Sequence, residues 1–332
     1  MADKYEVVYR SPNGPGDARP TALQILQDED LEGKWEGKTI FITGCSSGIG
    51  IETALALFTT GATLYLTARD LKKATKALGS ITTSPRVHLL ELDLNSLASV
   101  RSCASTFLSR SKTLNIFIAN AGVMYTPEDR TEDGFETQLG TNHLAHFLLF
   151  NLLKDTLIAS STPAFHSRVL ILSSVGHRFG EVNFSNINFE GEYNPQTAYF
   201  QSKTANLWTA NEIERRYGQR GVHAWSIHPG AIATGLMRHV SEKELKALSQ
   251  DKTLEKIFKS PEQGAATTTW AATAQVLEGH GGKYLEDCQI AKPWNSEDGP
   301  WAPGYAPWAY DAEKEAKLWA KSMELVGLKD TA

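Results

Sequence analysis

The stretch Lys38-Thr-Ile-Phe-Ile-Thr43, leading into Gly-Cys-Ser-Ser-Gly-Ile-Gly50, limits the folds open to this chain more than any other segment. Its first half is a β-branched run suited to a buried strand, and residues 49–58 present an apolar helical face. Gly44 permits a tight turn between them, Gly48 lets the backbone approach a pyrophosphate, and Gly50 allows close packing of helix on strand. Phosphate charge would meet the helix N-terminus at Ile49, with Ser46 and Ser47 as donors beside it. Apolar runs at 63–68, 87–92, 114–119, 168–172 and 223–228 then alternate with helix-like segments. That alternation specifies an α/β fold, a doubly wound parallel sheet with helices on both faces. Residues 283–285 read as a last short strand.

The sequence divides into an N-terminal extension, 1–37, a catalytic domain, 38–286, and an aromatic tail, 287–332. No internal repeat is visible. A content of 41% hydrophobic and 21% charged residues in 332 is that of a soluble enzyme with one substantial core. The net charge of −5 argues against nucleic acid or an anionic membrane as partner. Cys45, Cys103 and Cys288 are scattered and odd in number, which suits a reducing compartment and offers no metal cluster. Residues 1–20 are charged and proline-rich, unlike a signal peptide. The longest apolar segment, 144–158, is interrupted by His146, Asn151, Lys154 and Asp155, so it reads as a helix of the fold and not a membrane span. The expected location is cytoplasmic.

Tyr199 and Lys203 lie four residues apart, one helical turn on the same face. At about 5 Å and an effective dielectric of about 20, their charge interaction is on the order of 3 kcal/mol, enough to lower a tyrosine pKa by about two units. A phenol so tuned is a usable general acid or base near neutral pH. The pair alone is weak, since Tyr310 and Lys314 repeat the spacing in what reads as a surface helix. Its weight comes from the glycine turn far upstream.

Taken together, residues 38–285 resemble the short-chain dehydrogenase/reductase family, with the landmarks in order and a Rossmann-type sheet implied. The resemblance implies that Asp93, followed by Leu94, faces the adenine and that Asn120-Ala121-Gly122 lies beside the cofactor. It implies a catalytic set of Asn142, Ser174, Tyr199 and Lys203, with Asn142 keeping a water in the proton relay. Ser173 is then the structural neighbour of Ser174. Pro229, Gly230, the Ile232 backbone and the Thr234 hydroxyl would hold the nicotinamide carboxamide. The interval of 25 from Ser174 to Tyr199 is similar to that of a branch that includes retinol dehydrogenases and WW-domain oxidoreductases.

The strand at 63–68 ends without an acid, and Arg69 follows. A guanidinium there can fork onto a 2′-phosphate and stack on adenine, so the expected cofactor is NADP(H), with Asp70 capping the next helix. The expected reaction is hydride transfer with a ketone or aldehyde, reduction favoured, and the resemblance to fungal secondary-metabolism and retinol-dehydrogenase-like members implies a hydrophobic substrate such as a polyketide, terpenoid or retinoid-like molecule. Alcohol oxidation, epimerisation through a transient ketone, and a non-catalytic nucleotide sensor or scaffold are the alternatives. Substrate selectivity should reside in 176–195, 231–259 and the tail. There Trp294, Trp301, Trp308, Trp319, Tyr305 and Tyr310 either anchor the tail or form a lid. His143, His146, His177 and His228 suit packing or loop roles. The resemblance implies either a monomer or a homodimer through helices at 135–157 and 198–217, a surface the aromatic tail would cover or extend, and the homodimer is the expectation.

Overall fold

The structure is a computed structural model that describes residues 4–330; residues 1–3 of the extension and 331–332 of the tail lie outside the described residues. Seven parallel strands and one antiparallel edge strand form a single sheet. They are β1 (Thr39–Ile42), β2 (Thr63–Ala68), β3 (Val87–Glu91), β4 (Ile116–Ala119), β5 (Ser167–Leu172), β6 (Val222–His228), β7 (Lys283–Glu286) and β8 (Gln289–Ile290). Their spatial order is β3-β2-β1-β4-β5-β6-β7-β8. Strand order reverses between β1 and β4, which opens a crevice beyond their C-terminal ends.

Strand alternation assigns the two cores. Phe41 faces a layer with Phe107, Phe117 and Trp208. Ile40 and Ile42 face the other with Leu57, Trp225 and Trp270. Every residue of β1, β4, β5 and β6 is buried, as a parallel sheet covered on both faces requires. The expected apolar segment forms the helix Ala145–Ser160 against the first core. Among the described residues no helix is long and apolar enough to cross a membrane.

Both flanking segments pack on the sheet domain. In the extension, buried Arg19 donates to the carbonyls of Ile257 and Phe258 at 2.7 and 2.6 Å and pairs with Asp17 at 2.8 Å. In the tail, the helix Ala312–Leu325 lies along the helix Pro195–Tyr217. Tyr310 precedes that tail helix instead of lying on its surface, and its hydroxyl accepts the Tyr284 amide at 3.0 Å. The second Tyr-to-Lys spacing is thus a strand anchor followed by a helix start.

Candidate active site

The glycine turn has the geometry its sequence requires. Gly44 and Gly48 adopt φ of +77° and +65°. A Cβ on Gly50 would stand 2.4 Å from the Gly44 carbonyl oxygen, so only glycine fits this approach of helix to strand. The first-turn amides of Ile49 and Gly50 have no partner four residues back and open onto the crevice.

A cleft of about 960 Å³ runs from this turn across the strand ends. Gly44, Ser46, Ser47, Gly48, Ile49, Gly50, Arg69, Asp93, Leu94, Asn120, Ala121, Gly122, Pro229, Gly230, Ile232 and Thr234 all line it, with Ser174, Tyr199 and Lys203. Asn120 Nδ2 donates to the Thr43 carbonyl at 2.8 Å, while its buried Oδ1 has no protein partner. Asp93 turns Oδ1 onto the Asn95 amide at 2.9 Å. Asp70 caps the helix Leu71–Leu78 through the Lys73 amide at 2.9 Å, as expected. That places the Lys73 side chain in the cleft with Arg69. Lys73 was detectable, because the first turn after β2 must face the same end of the sheet. Open helix amides, two cations, an acid and a glycine floor fit a dinucleotide.

The helix Pro195–Tyr217 carries the candidate acid. Asn194 starts it by accepting the Gln196 and Thr197 amides at 3.0 Å, and Pro195 takes its first position. Tyr199 and Lys203 are each 5% exposed. Lys203 Nζ donates to the Leu172 carbonyl at 3.1 Å and lies 5.6 Å from the centre of the Tyr199 ring. Burial raises the phenol above its ordinary value, with Ser174 as a hydrogen-bonding neighbour pulling the other way. Burial also lowers the Lys203 ammonium to about 8. The expected lowering of the tyrosine pKa is therefore reversed, because desolvation outweighs an ammonium that points at a carbonyl.

The two serines face different surroundings. Ser173 is buried and donates to the Lys203 carbonyl at 2.8 Å, whereas Ser174 lines the cleft and accepts the Gly176 amide at 3.1 Å. Asn142 lies behind the cleft, fully buried, in a π-helical turn spanning Gly140–Leu144. Its Oδ1 accepts the Val123 amide at 2.8 Å, and its Nδ2 donates to the Val123 carbonyl and to Ser202 Oγ, both at 2.9 Å. The side chain is thus a clamp on the segment after β4.

A second cleft, of about 980 Å³, meets the first at Ser174 and Tyr199. Tyr125 sits edge-on to Tyr199 at 5.5 Å, and Phe179, Phe200, Met237 and Trp301 add apolar wall. Tyr9 and Pro12 of the extension also face it, a contribution with no signal in the sequence. The tail splits between the two expected roles. Trp308 donates to the His177 carbonyl at 3.0 Å, Trp319 is buried in the core, and Trp294 lies under Arg178, so these three are anchors. Trp301 walls the cleft. Of the histidines, His143, His146 and His177 are buried in hydrogen-bonded packing positions, whereas His228 lines both clefts.

Known proteins resemble this chain over most of its length. A short-chain dehydrogenase/reductase of Penicillium roqueforti, prx1, is 51% identical over 327 residues, covering 98% of this chain and 96% of the relative. Human retinol dehydrogenase 13 is 39% identical over 300 residues, covering 88% and 85%. A solved structure of an uncharacterised protein from Mycobacterium paratuberculosis superposes with a TM-score of 0.70 at 31% identity, covering 95% of this chain and all of that one. The short chain dehydrogenase family model matches residues 38–245, from the first strand through the candidate tyrosine and lysine into the lobe of residues 231–259 that walls the second cleft. With that match spanning the glycine turn, Ser174, Tyr199 and Lys203, the chain belongs to the short-chain dehydrogenase/reductase family of oxidoreductases.

Proposed function

We propose that this protein is an NADP(H)-dependent reductase of ketones or aldehydes on bulky apolar molecules. The observation that carries the reading is the meeting of a polar, dinucleotide-shaped cleft and an apolar cleft at Ser174 and Tyr199. When bound, the nicotinamide supplies or accepts a hydride. Tyr199 gives its proton to the oxygen that gains charge, Ser174 donates a hydrogen bond to the same oxygen, and Lys203 keeps positive charge beneath the phenol. Asn142 fixes the floor by holding Val123. The apolar walls exclude water and orient the carbonyl.

NADP(H) is favoured because Arg69 and Lys73 both line the cleft beyond β2, and among the described residues neither has an ion-pair partner. The retinol dehydrogenase relative supports an apolar substrate. The test is a fluorescence titration with NADPH and NADH on wild type and Arg69→Ala, followed by turnover of apolar ketones. We expect NADPH to bind more tightly than NADH, and the variant to lose about 10- to 100-fold for NADPH alone, the worth of a charged hydrogen-bond pair. Tyr199→Phe should keep cofactor binding and lose turnover. Equal binding of both nucleotides, unchanged in the variant, refutes the cofactor assignment; full turnover by Tyr199→Phe refutes the mechanism.

A further inference from the structure

The apolar cleft carries a polar pair that carbonyl reduction leaves unused. His228 ends β6 and Glu286 ends β7, and the two are direct neighbours in register. Both line the cleft beside Ser174 and Tyr199. The Val175 amide donates to His228 Nδ1 at 3.3 Å, which places the ring proton on Nε2. That Nε2 stands 3.8 Å from Glu286 Oε1, beyond hydrogen-bonding distance. The other carboxylate oxygen, Oε2, accepts the Gly304 amide at 2.8 Å. Neighbouring charges are already engaged: Lys259 pairs with Asp287 at 2.7 Å, and Arg178 donates to the carbonyls of Ala302 and Pro300 at 2.6 and 2.8 Å. Among the described residues, His228 Nε2 and Glu286 Oε1 have no other protein hydrogen-bond partner.

We propose that His228 and Glu286 recognise a hydroxyl group on the substrate other than the reacting oxygen, so that the enzyme acts on hydroxylated apolar ketones or aldehydes. This rests on the carbonyl-reductase reading above. A hydroxyl oxygen placed about 2.8 Å from each atom accepts from His228 Nε2–H and bonds Glu286 Oε1, donating to the carboxylate or accepting from the carboxyl that burial, pushing Glu286 up to about 8, leaves protonated near neutral pH, and so closes the 3.8 Å gap. A hydrocarbon leaves both groups unpaired against apolar walls. Sites built to hydrogen-bond a substrate hydroxyl discriminate strongly against the analogue that lacks it.

The test measures binding, so it does not depend on turnover. Dissociation constants for a decalone, and for derivatives hydroxylated at each of its other ring positions, are read from tryptophan fluorescence with oxidised cofactor present. We expect at least one hydroxylated derivative to bind about tenfold or more tightly than the parent. Glu286→Leu should collapse that ratio toward one. Glu286→Gln, which retains an oxygen for the Gly304 amide and a polar group for the ligand, should keep most of it. No preference for any hydroxylated derivative, no binding by any of them, or a preference unchanged in Glu286→Leu overturns the proposal. Turnover of the same compounds with NADPH is scored separately: its absence in wild type sinks the reductase reading, while the binding ratio still reports on the pair.

Discussion

Tyr199 and Lys203 show how burial alters a pair whose spacing is plain in the sequence. A Coulomb estimate treats them as neighbours on a half-wet helix face, where the ammonium would lower the phenol. Both are enclosed, and Lys203 Nζ is satisfied by the Leu172 carbonyl, so each group is pushed toward its neutral form. The consequence has a sign. Reduction needs a protonated phenol, which the raised pKa guarantees across neutral pH, and a charged Lys203, which is lost as pH climbs through about 8. The value of kcat/KM for carbonyl reduction should stay level below that pH and fall above it, while alcohol oxidation, which needs the phenolate, should gain rate as pH rises. Pre-steady-state or steady-state rates across the range check this. A reduction profile that stays level well above pH 8 would show that Lys203 keeps its proton and that burial does not govern the pair.

At the scale of elements, the strand-turn-helix unit and Tyr199 to Lys203 were legible because each is encoded within a few residues. The π-helical turn at Asn142 was not, because its cause lies elsewhere in the chain. Thr43 Oγ1 accepts the Asn120 and Ala121 amides at 2.9 and 3.0 Å, so its single proton goes to His146 Nε2 at 2.9 Å. His146 Nδ1–H then donates to the Asn142 carbonyl at 3.0 Å, and burial keeps the ring neutral, lowering it to about 4. One threonine thus ties β1, the Asn120 segment and the Asn142 turn together. The expected effect of Thr43→Val, which keeps shape and removes the hydroxyl, is a loss of about 3 kcal/mol in denaturant unfolding, with several buried partners left unpaired. A change within about 0.5 kcal/mol would mean that the network is not a structural tie. The β7-β8 turn was equally hidden. Asp287 and Cys288 adopt φ of +54° and +55° without glycine, and three consecutive residues each hold a different cleft-walling segment. Glu286 holds the tail through Gly304, Asp287 holds the lobe through Lys259, and Cys288 meets Tyr9 of the extension at 3.4 Å. Such long-range pairings leave no local sequence signal.

Across the whole molecule, the tail helix bears on assembly. The helices expected to pair two copies, at 135–157 and 198–217, present Phe147, Phe150 and Tyr217 to the chain's own Trp319, with ring centres 4.8, 6.3 and 6.3 Å away. His143 bonds Ser322 at 2.8 Å, Asn211 donates to Glu315 at 2.7 Å, and Arg215 pairs with the same glutamate. Pairing through these helices would first have to displace Ala312–Leu325, stripping Trp319, Leu318 and Met323 from the core. Burying those side chains is worth on the order of 1.5–3 kcal/mol each, so displacement is unfavourable unless a partner replaces all of it. This argues against the expected homodimer through that surface. Wild-type protein should sediment at the mass of one chain, and a truncation ending at residue 311 should uncover the apolar face and self-associate or precipitate. A wild-type dimer that the truncation leaves intact would place the interface elsewhere. A wild-type dimer abolished by the truncation would make the tail helix itself the contact, and either result would replace the reading of the tail as an intramolecular cover.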